Sequence, residues 1–286
     1  MKAFAPAHIT GFFVIHNEAD PLHTGSCGAG LSLDDGAVTE VFPSGQIEIF
    51  LNGQPDEAAT TATVVRMLTD RPVRVETRLG IPVGGGLGAS AAGAVSTALA
   101  LDDMLGLEKT MNELMYTAHI AEVTNRTGLG DVAGMSSGGV EIRLKPGVPF
   151  AVDRIPVPPA YIYYVCFGPI STESILSDPR EGAAINDAGG KCLKSLLKKP
   201  TFAELMRLSR SFAVETGLIS ARVLDAVETV ESHGGMASMA MLGDTVFASV
   251  PDGLAEFGEV RRAAINVTGP RLIDGAGERP DIFNVS

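Results

Sequence analysis

Four of the five positions from 84 to 88 are glycine, within the segment Pro82-Val-Gly-Gly-Gly-Leu-Gly-Ala-Ser-Ala-Ala92. No regular strand or helix tolerates that density, so the chain turns here. The flanks narrow what the turn is for. Residues 72–79 (PVRVETRL) alternate, with Val73, Val75, Thr77 and Leu79 on one face, which predicts a half-buried strand. Residues 89–105 (ASAAGAVSTALALDDML) are small and apolar at helical spacing, and Gly106 ends them. A strand that feeds a glycine turn and then a helix start gathers backbone N–H groups and the positive end of the helix dipole at one point. Phosphate is the natural occupant of such a point.

Three other readings of the loop compete. A Walker A loop needs a lysine after the glycines, and none follows them. The dinucleotide fingerprint is formally met by Gly84-x-Gly86-x-x-Ala89, but Pro82 stands where the strand should run straight into the turn, and the loop lies far from the N-terminus. A purely structural turn remains, and the run of small residues opening the helix weighs against it.

The rest of the chain mixes strands and helices without an internal repeat. Residues 38–51 read as two strands around a turn at Pro43–Gly45, residues 56–69 as a helix, and 138–144 (GGVEIRL) as another alternating strand. Thr110 and Glu113 form a capping pattern that opens a helix running to about Arg126, where Gly128 stops it. Prolines 146, 149, 156, 158 and 159 mark a composition break, which predicts two domains, 1–155 and 156–286. Beyond it lie a strand at 161–167, helices near 181–198, 201–215 and 219–232, a strand at 245–250 and a closing strand at 281–285.

The net charge of −12 argues against nonspecific DNA or RNA binding, which needs phosphate-neutralising Lys and Arg. A nucleotide remains compatible with that charge, because backbone N–H groups and Mg²⁺ can offset its phosphates. No apolar run approaches the roughly 20 residues of a membrane helix. Cys27, Cys166 and Cys192 form no C-x-x-C pair. Reduced thiols in a cytoplasmic protein are the simplest account. A homodimer is left open.

The segment Pro82–Ala92 resembles the second motif of the GHMP kinases, P-x-x-x-G-L-G-[SA]-S-A-A, with Ala89 replacing one serine. Their first motif, a strand carrying A-P-[GA] near the N-terminus, is similar to Ala5-Pro-Ala-His8-Ile-Thr-Gly-Phe-Phe13. Their third, a glycine-rich run, is matched more loosely by residues 233–247, whose methionines read as core packing. Among these kinases, the runs His8–Phe13, Asp20–Leu31, Gly168–Thr172 and Ala237–Gly243 resemble the archaeal pantoate kinases over nearly the whole chain. The resemblance implies an α+β fold, the GHMP kinase fold, with an N-terminal half like ribosomal protein S5 domain 2 and a C-terminal ferredoxin-like α/β half. It implies ATP and Mg²⁺ as cofactors and pantoate as the small-molecule substrate, phosphorylated on the route to coenzyme A.

Site residues follow by the same resemblance. Pro82, Gly84, Gly85, Gly86, Leu87, Gly88, Ala89 and Ser90 would bind ATP, with Ser90 and Glu122 at the metal. A helix-surface pair of Glu122 with Arg126 is the plainer alternative for that glutamate. Asp131, in the loop Gly128-Leu-Gly-Asp-Val, would orient or deprotonate the acceptor hydroxyl, the plainer alternative being a turn-stabilising aspartate. His8 stands where mevalonate kinases carry Lys. A free imidazole, with a pKa near 6.5, is mostly neutral at pH 7, so His8 is expected as a catalytic residue that polarises or hydrogen-bonds substrate, with a role as cation left open. Such a substrate needs a cation for its carboxylate, for which Arg126 is the first choice, with Thr24 and Ser26 as hydroxyl partners and Phe12 or Phe13 as apolar wall.

Overall fold

The computed structural model describes residues 2–169 and 179–273; the expected strand at 281–285 and part of the Gly168–Thr172 run lie outside them. Two sheets form the frame. The first contains β1 (Lys2–His16), β2 (Gly25–Pro43), β3 (Glu48–Leu51), β4 (Gln54–Pro55), β5 (Val73–Leu79), β6 (Val140–Lys145), β7 (Ala151–Ile155) and β12 (Arg271–Ile273). Its order is β12-β1-β2-β5-β3-β4, with β6 on β2 and β7 on β6. The second contains β8 (Tyr161–Gly168), β9 (Ala237–Met239), β10 (Asp244–Ala248) and β11 (Arg261–Ala264), in the order β11-β8-β10-β9.

The long strand β2 has two partners on its far edge. Ala37–Pro43 pair with β5, and Gly28–Leu31 pair with β6. The sheet therefore forks, and β1 runs beside β2 along both branches. β1 is buried at every position from Ala3 to Phe13, so it shows no in–out alternation. Helices of both halves pack on it: α2 (Ala89–Leu105) and α4 (Asp131–Met135) from the first, α5 (Pro179–Lys198) and α6 (Phe202–Glu215) from the second. His8, Thr10 and Phe13 on this strand sit where the two halves meet.

Helix α2 is buried at every residue from Ala91 to Leu101. An apolar surface all round suits a central helix, and α2 is wrapped by β1, β2, α1 (Ala59–Leu68) and α3 (Met111–Thr124). Its alanines and glycine let these neighbours approach closely, while Val95, Leu99 and Leu101 each contribute about 1.5–3 kcal/mol by leaving water. Gly106 closes the helix in the left-handed conformation, at φ 61°. Thr110 and Glu113 form the full capping box of α3. That helix ends at Thr124 rather than Arg126, because Arg126 itself turns left-handed at φ 56° before Gly128 is reached.

The second sheet is covered by α6 and by α7 (Ala221–Ser232). The Ser220 hydroxyl accepts from Val223 N and donates to Asp244 Oδ1 at 2.6 Å, so one side chain both caps α7 and ties it to β10. Residues 155 and 156, where the prolines suggest a division, lie where the chain leaves β7 of the first sheet for β8 of the second. The apolar core nevertheless runs through both, from Ile9, Phe12 and Leu31 to Tyr164, Phe212 and Phe247.

Candidate active site

The phosphate loop joins β5 to α2. Gly84, Gly86 and Gly88 take φ of 77°, 74° and 66°, a left-handed region closed to most side chains. Gly86 also has no space for one, since a Cβ there would lie 2.8 Å from Gly243 N and 2.9 Å from Met241 O. The third motif thus braces the second. His8 N donates to Leu87 O at 3.1 Å, pinning the loop to β1 as well. Gly88 provides α2 with no side-chain cap, and the first turn of that helix contains no acid. The opening amides and the helix dipole are left for an anion.

Gly84, Gly86, Leu87, Gly88, Ala89 and Ser90 face a cavity of about 350 Å³. Its opposite wall is the stretch from Asn125 to Asp131, and Thr10, Phe13, Ser26, Met241 and Leu242 complete it. Pro82 instead faces a second cavity outside the loop, and Gly85 backs onto Cys166, whose Sγ would lie 3.0 Å from a Cβ placed there.

Asp131 opens α4, with a quarter of its side chain exposed. Its Oδ1 accepts from His8 Nδ1 at 2.7 Å. The other ring nitrogen of His8, Nε2, is 3.0 Å from Glu141 Oε1. Arg143 donates to that same Glu141 oxygen through Nη1 and to Thr10 Oγ1 through Nη2, the latter at 3.4 Å. His8, Glu141 and Arg143 are buried. Burial opposes charge on the His8 imidazole, yet the Glu141 charge and the hydrogen bonds to Asp131 and Glu141 outweigh it and raise its pKa. The sequence reading places His8 at the substrate; the structure instead sets it behind Asp131, off the cavity lining, with a pKa raised by its two carboxylate neighbours.

Glu122, late in α3, lies beneath the loop at 127–128. Thr127 Oγ1 donates to its Oε1 at 2.6 Å. Burial pushes its pKa up to about 7, and the charge of Asp131 adds to this against hydrogen bonds from Thr127 and Ser90. Its Oε2 is buried without a hydrogen-bond partner and would be 2.2 Å from a Cβ at Gly128, which lines the cavity. Among the described residues no three His, Cys, Asp or Glu side chains cluster to hold a metal. Mg²⁺ needs no such cluster, because it takes one or two protein carboxylates and fills its shell with phosphate oxygens and water. Ser90 beside a carboxylate with a free buried oxygen fits that chemistry.

Of the residues expected at the substrate, Ser26 and Arg126 line the cavity, Ser26 buried on its floor and Arg126 exposed at its rim. Thr24 does not. Its hydroxyl exchanges hydrogen bonds with the Glu18 backbone, and its carbonyl faces His119 Nε2 at 2.9 Å, so Thr24 clasps the preceding turn. Both phenylalanines are buried and pack near Phe212, and of the two Phe13 lines the cavity.

Sequence reasoning passed over Glu141 and Arg143. An alternating strand ordinarily turns such polar residues to solvent, but β6 is buried on both faces from Val140 to Arg143. A Glu-x-Arg pair is ordinary on a solvated strand face, so no local signal separates the two cases.

The family model for the N-terminal domain of GHMP kinases matches residues 58–139, which hold the phosphate loop, Glu122 and Asp131. The chain is 37% identical to a pantoate kinase of Methanocaldococcus jannaschii over 85% of this chain and 90% of the relative. It is 38% identical to a pantoate kinase of Thermococcus kodakarensis over 90% and 89%. A solved phosphotransferase related to the CoA biosynthesis pathway superposes with a TM-score of 0.86 at 32% identity, over 96% of this chain and 99% of that one. A homoserine kinase from Cytophaga hutchinsonii, at 20% identity and a TM-score of 0.66 over 96% and 97%, shares the fold.

Proposed function

Because the chain belongs to the GHMP kinases, and among them to the pantoate kinases, we infer that it transfers the γ-phosphoryl group of ATP to the 4-hydroxyl of pantoate, a step of coenzyme A biosynthesis. The observation that carries the mechanism is the shared cavity: uncapped amides of a helix start on one wall, and a carboxylate on the other.

The phosphates of ATP lie along Gly84–Ser90, where loop N–H groups and the α2 dipole balance their charge. Ser90 and Glu122 are the residues that would hold Mg²⁺, which when bound screens the charge of the transferring group. The pantoate hydroxyl faces Asp131. Its oxygen attacks the γ-phosphorus, its proton passes to the Asp131 carboxylate, and the bond to the bridging oxygen breaks as ADP leaves. Loop 127–130 brings Asp131 within the same wall as Arg126, so the base and a cation for the substrate carboxylate adjoin.

Arg143 offers a second cation. Its Nε is buried without a hydrogen-bond partner, and a Cβ at Gly130 would lie 2.9 Å from it and 2.2 Å from Ser26 Oγ. A carboxylate on Ser26 would therefore sit near an unused guanidinium donor.

An ADP-release assay with pantoate, pantothenate, homoserine and mevalonate as acceptors tests the reading. Turnover with pantoate alone is expected. Turnover with homoserine or mevalonate instead, or none with pantoate, overturns it.

A further inference from the structure

We propose that Glu141 is a positioning residue for phosphoryl transfer, acting through His8 to fix the Asp131 carboxylate against the cavity. The inference rests on the reading of Asp131 as the base.

The geometry of His8 carries the argument. Its two ring nitrogens meet two different carboxylates, Asp131 at 2.7 Å and Glu141 at 3.0 Å. A carboxylate accepts hydrogen bonds, so the doubly protonated ring satisfies both contacts at once; a neutral ring would instead leave Nε2 to accept from Arg143 Nη1, 3.4 Å away. The ring cannot turn away. A Cβ at Gly134 would lie 2.2 Å from His8 Nε2, and one at Gly30 2.9 Å from it, so α4 and β2 close on the imidazole from two sides. The charged groups packed on the ring are Asp131 from α4 and Glu141 and Arg143 from β6, with Gly30 of β2 also against it and Glu122 of α3 beyond Asp131.

Signs alternate along the line Asp131, His8, Glu141 and Arg143, and they sum to zero. Without Glu141, the imidazolium and guanidinium would share the interior with one carboxylate, a costly arrangement. A purely structural need would be met as well by apolar side chains of similar volume. Here the charged line ends instead at Asp131, the member that is exposed to the cavity. Three buried groups thus hold one reactive carboxylate in a single orientation, which is how supporting residues act on a general base.

The test compares wild type, Glu141→Gln and Glu141→Asp with ATP and pantoate across pH, together with ¹⁵N NMR of the His8 ring. Glu141→Gln keeps an acceptor but removes the charge. It is expected to lower kcat about 10- to 100-fold, with both KM values within about three-fold of wild type. The charge of Glu141 favours imidazolium, so its loss should move the alkaline limb of the kcat profile, and the His8 titration, to lower pH. Glu141→Asp should recover part of both. Wild-type kcat with an unmoved alkaline limb in Glu141→Gln overturns the proposal. If that variant fails to fold, the wild-type spectrum decides: His8 protonated on both nitrogens at pH 7.5 supports the proposal, and a neutral ring overturns it. Absence of wild-type turnover on pantoate would sink the substrate reading, while the NMR result would still judge the charged array.

Discussion

Asp131 is reached by solvent from the cavity side and held by an imidazole from behind, and the two contacts divide its tasks. The cavity face takes the proton, and the buried face fixes direction. Asp131→Asn keeps the shape and removes the base. It should lower kcat by about 10²–10⁴ while the KM for ATP stays near wild type, as read from initial rates at saturating pantoate. Glu122 gives a pH signature at the same scale. Its carboxyl keeps a proton in the folded state up to about pH 7, whereas the unfolded chain releases it near 4.5. Between these values the folded state binds more protons, so this group favours folding less as pH rises, and that loss is complete above about 7. His8, with a raised pKa, acts in the same direction, because its stabilising charge is lost as pH rises through the folded value. Thermal unfolding without ligand should therefore show a melting temperature that falls from pH 5 to pH 8, and Glu122→Gln should fall less steeply. Equal slopes would show that Glu122 titrates alike in both states.

The phosphate loop draws its shape from three elements at once. β5 delivers it, α2 receives it, and the turn at 240–243 presses on it from the second sheet. Gly86→Ala should strain a left-handed position and push the loop off Gly243, since the obstructing atoms are backbone. The expected outcome is a KM for ATP raised about ten-fold or more, equivalent to at least 1.4 kcal/mol of lost binding, with the pantoate KM less affected. The C-terminal end of α2 and the start of α3 were legible in the sequence because caps are local chemistry: Gly106 closes the one, and Thr110 with Glu113 opens the other. The burial of β6 was not, because the fork in the sheet that places β6 against β2, beneath α4, is not a property of residues 140–145 themselves.

At the scale of the molecule, one apolar cluster spans both sheets while a second, around α2, stays within the first half, and β12 returns from the second half to pair with β1. Shared packing of this kind favours one cooperative unfolding transition, which calorimetry would resolve from two. ATP with magnesium should move that transition upward, by about 2.7 kcal/mol of added stability at a hundred times the dissociation constant. A second transition unmoved by nucleotide would show that the halves unfold separately. The site lies against β1, where helices of both halves converge, so a ligand there bridges the phosphate loop, the 125–131 stretch and the turn at 241–242.

The glycine loop, the strand before it and the helix after it were settled by the order of residues alone, because left-handed turns and helix starts depend on neighbours along the chain. The family followed from the same short motifs. The array behind Asp131 was a tertiary decision. His8 is 123 residues from Asp131 and 133 from Glu141, and nothing near either carboxylate in sequence says that an imidazole will come between them. Thr24 is a different case: its hydroxyl bonds the Glu18 backbone only six residues away, a local turn contact that removes it from the substrate side. Backbone conformation is set locally, whereas the pairing of buried charges depends on which distant strands the fold lays side by side.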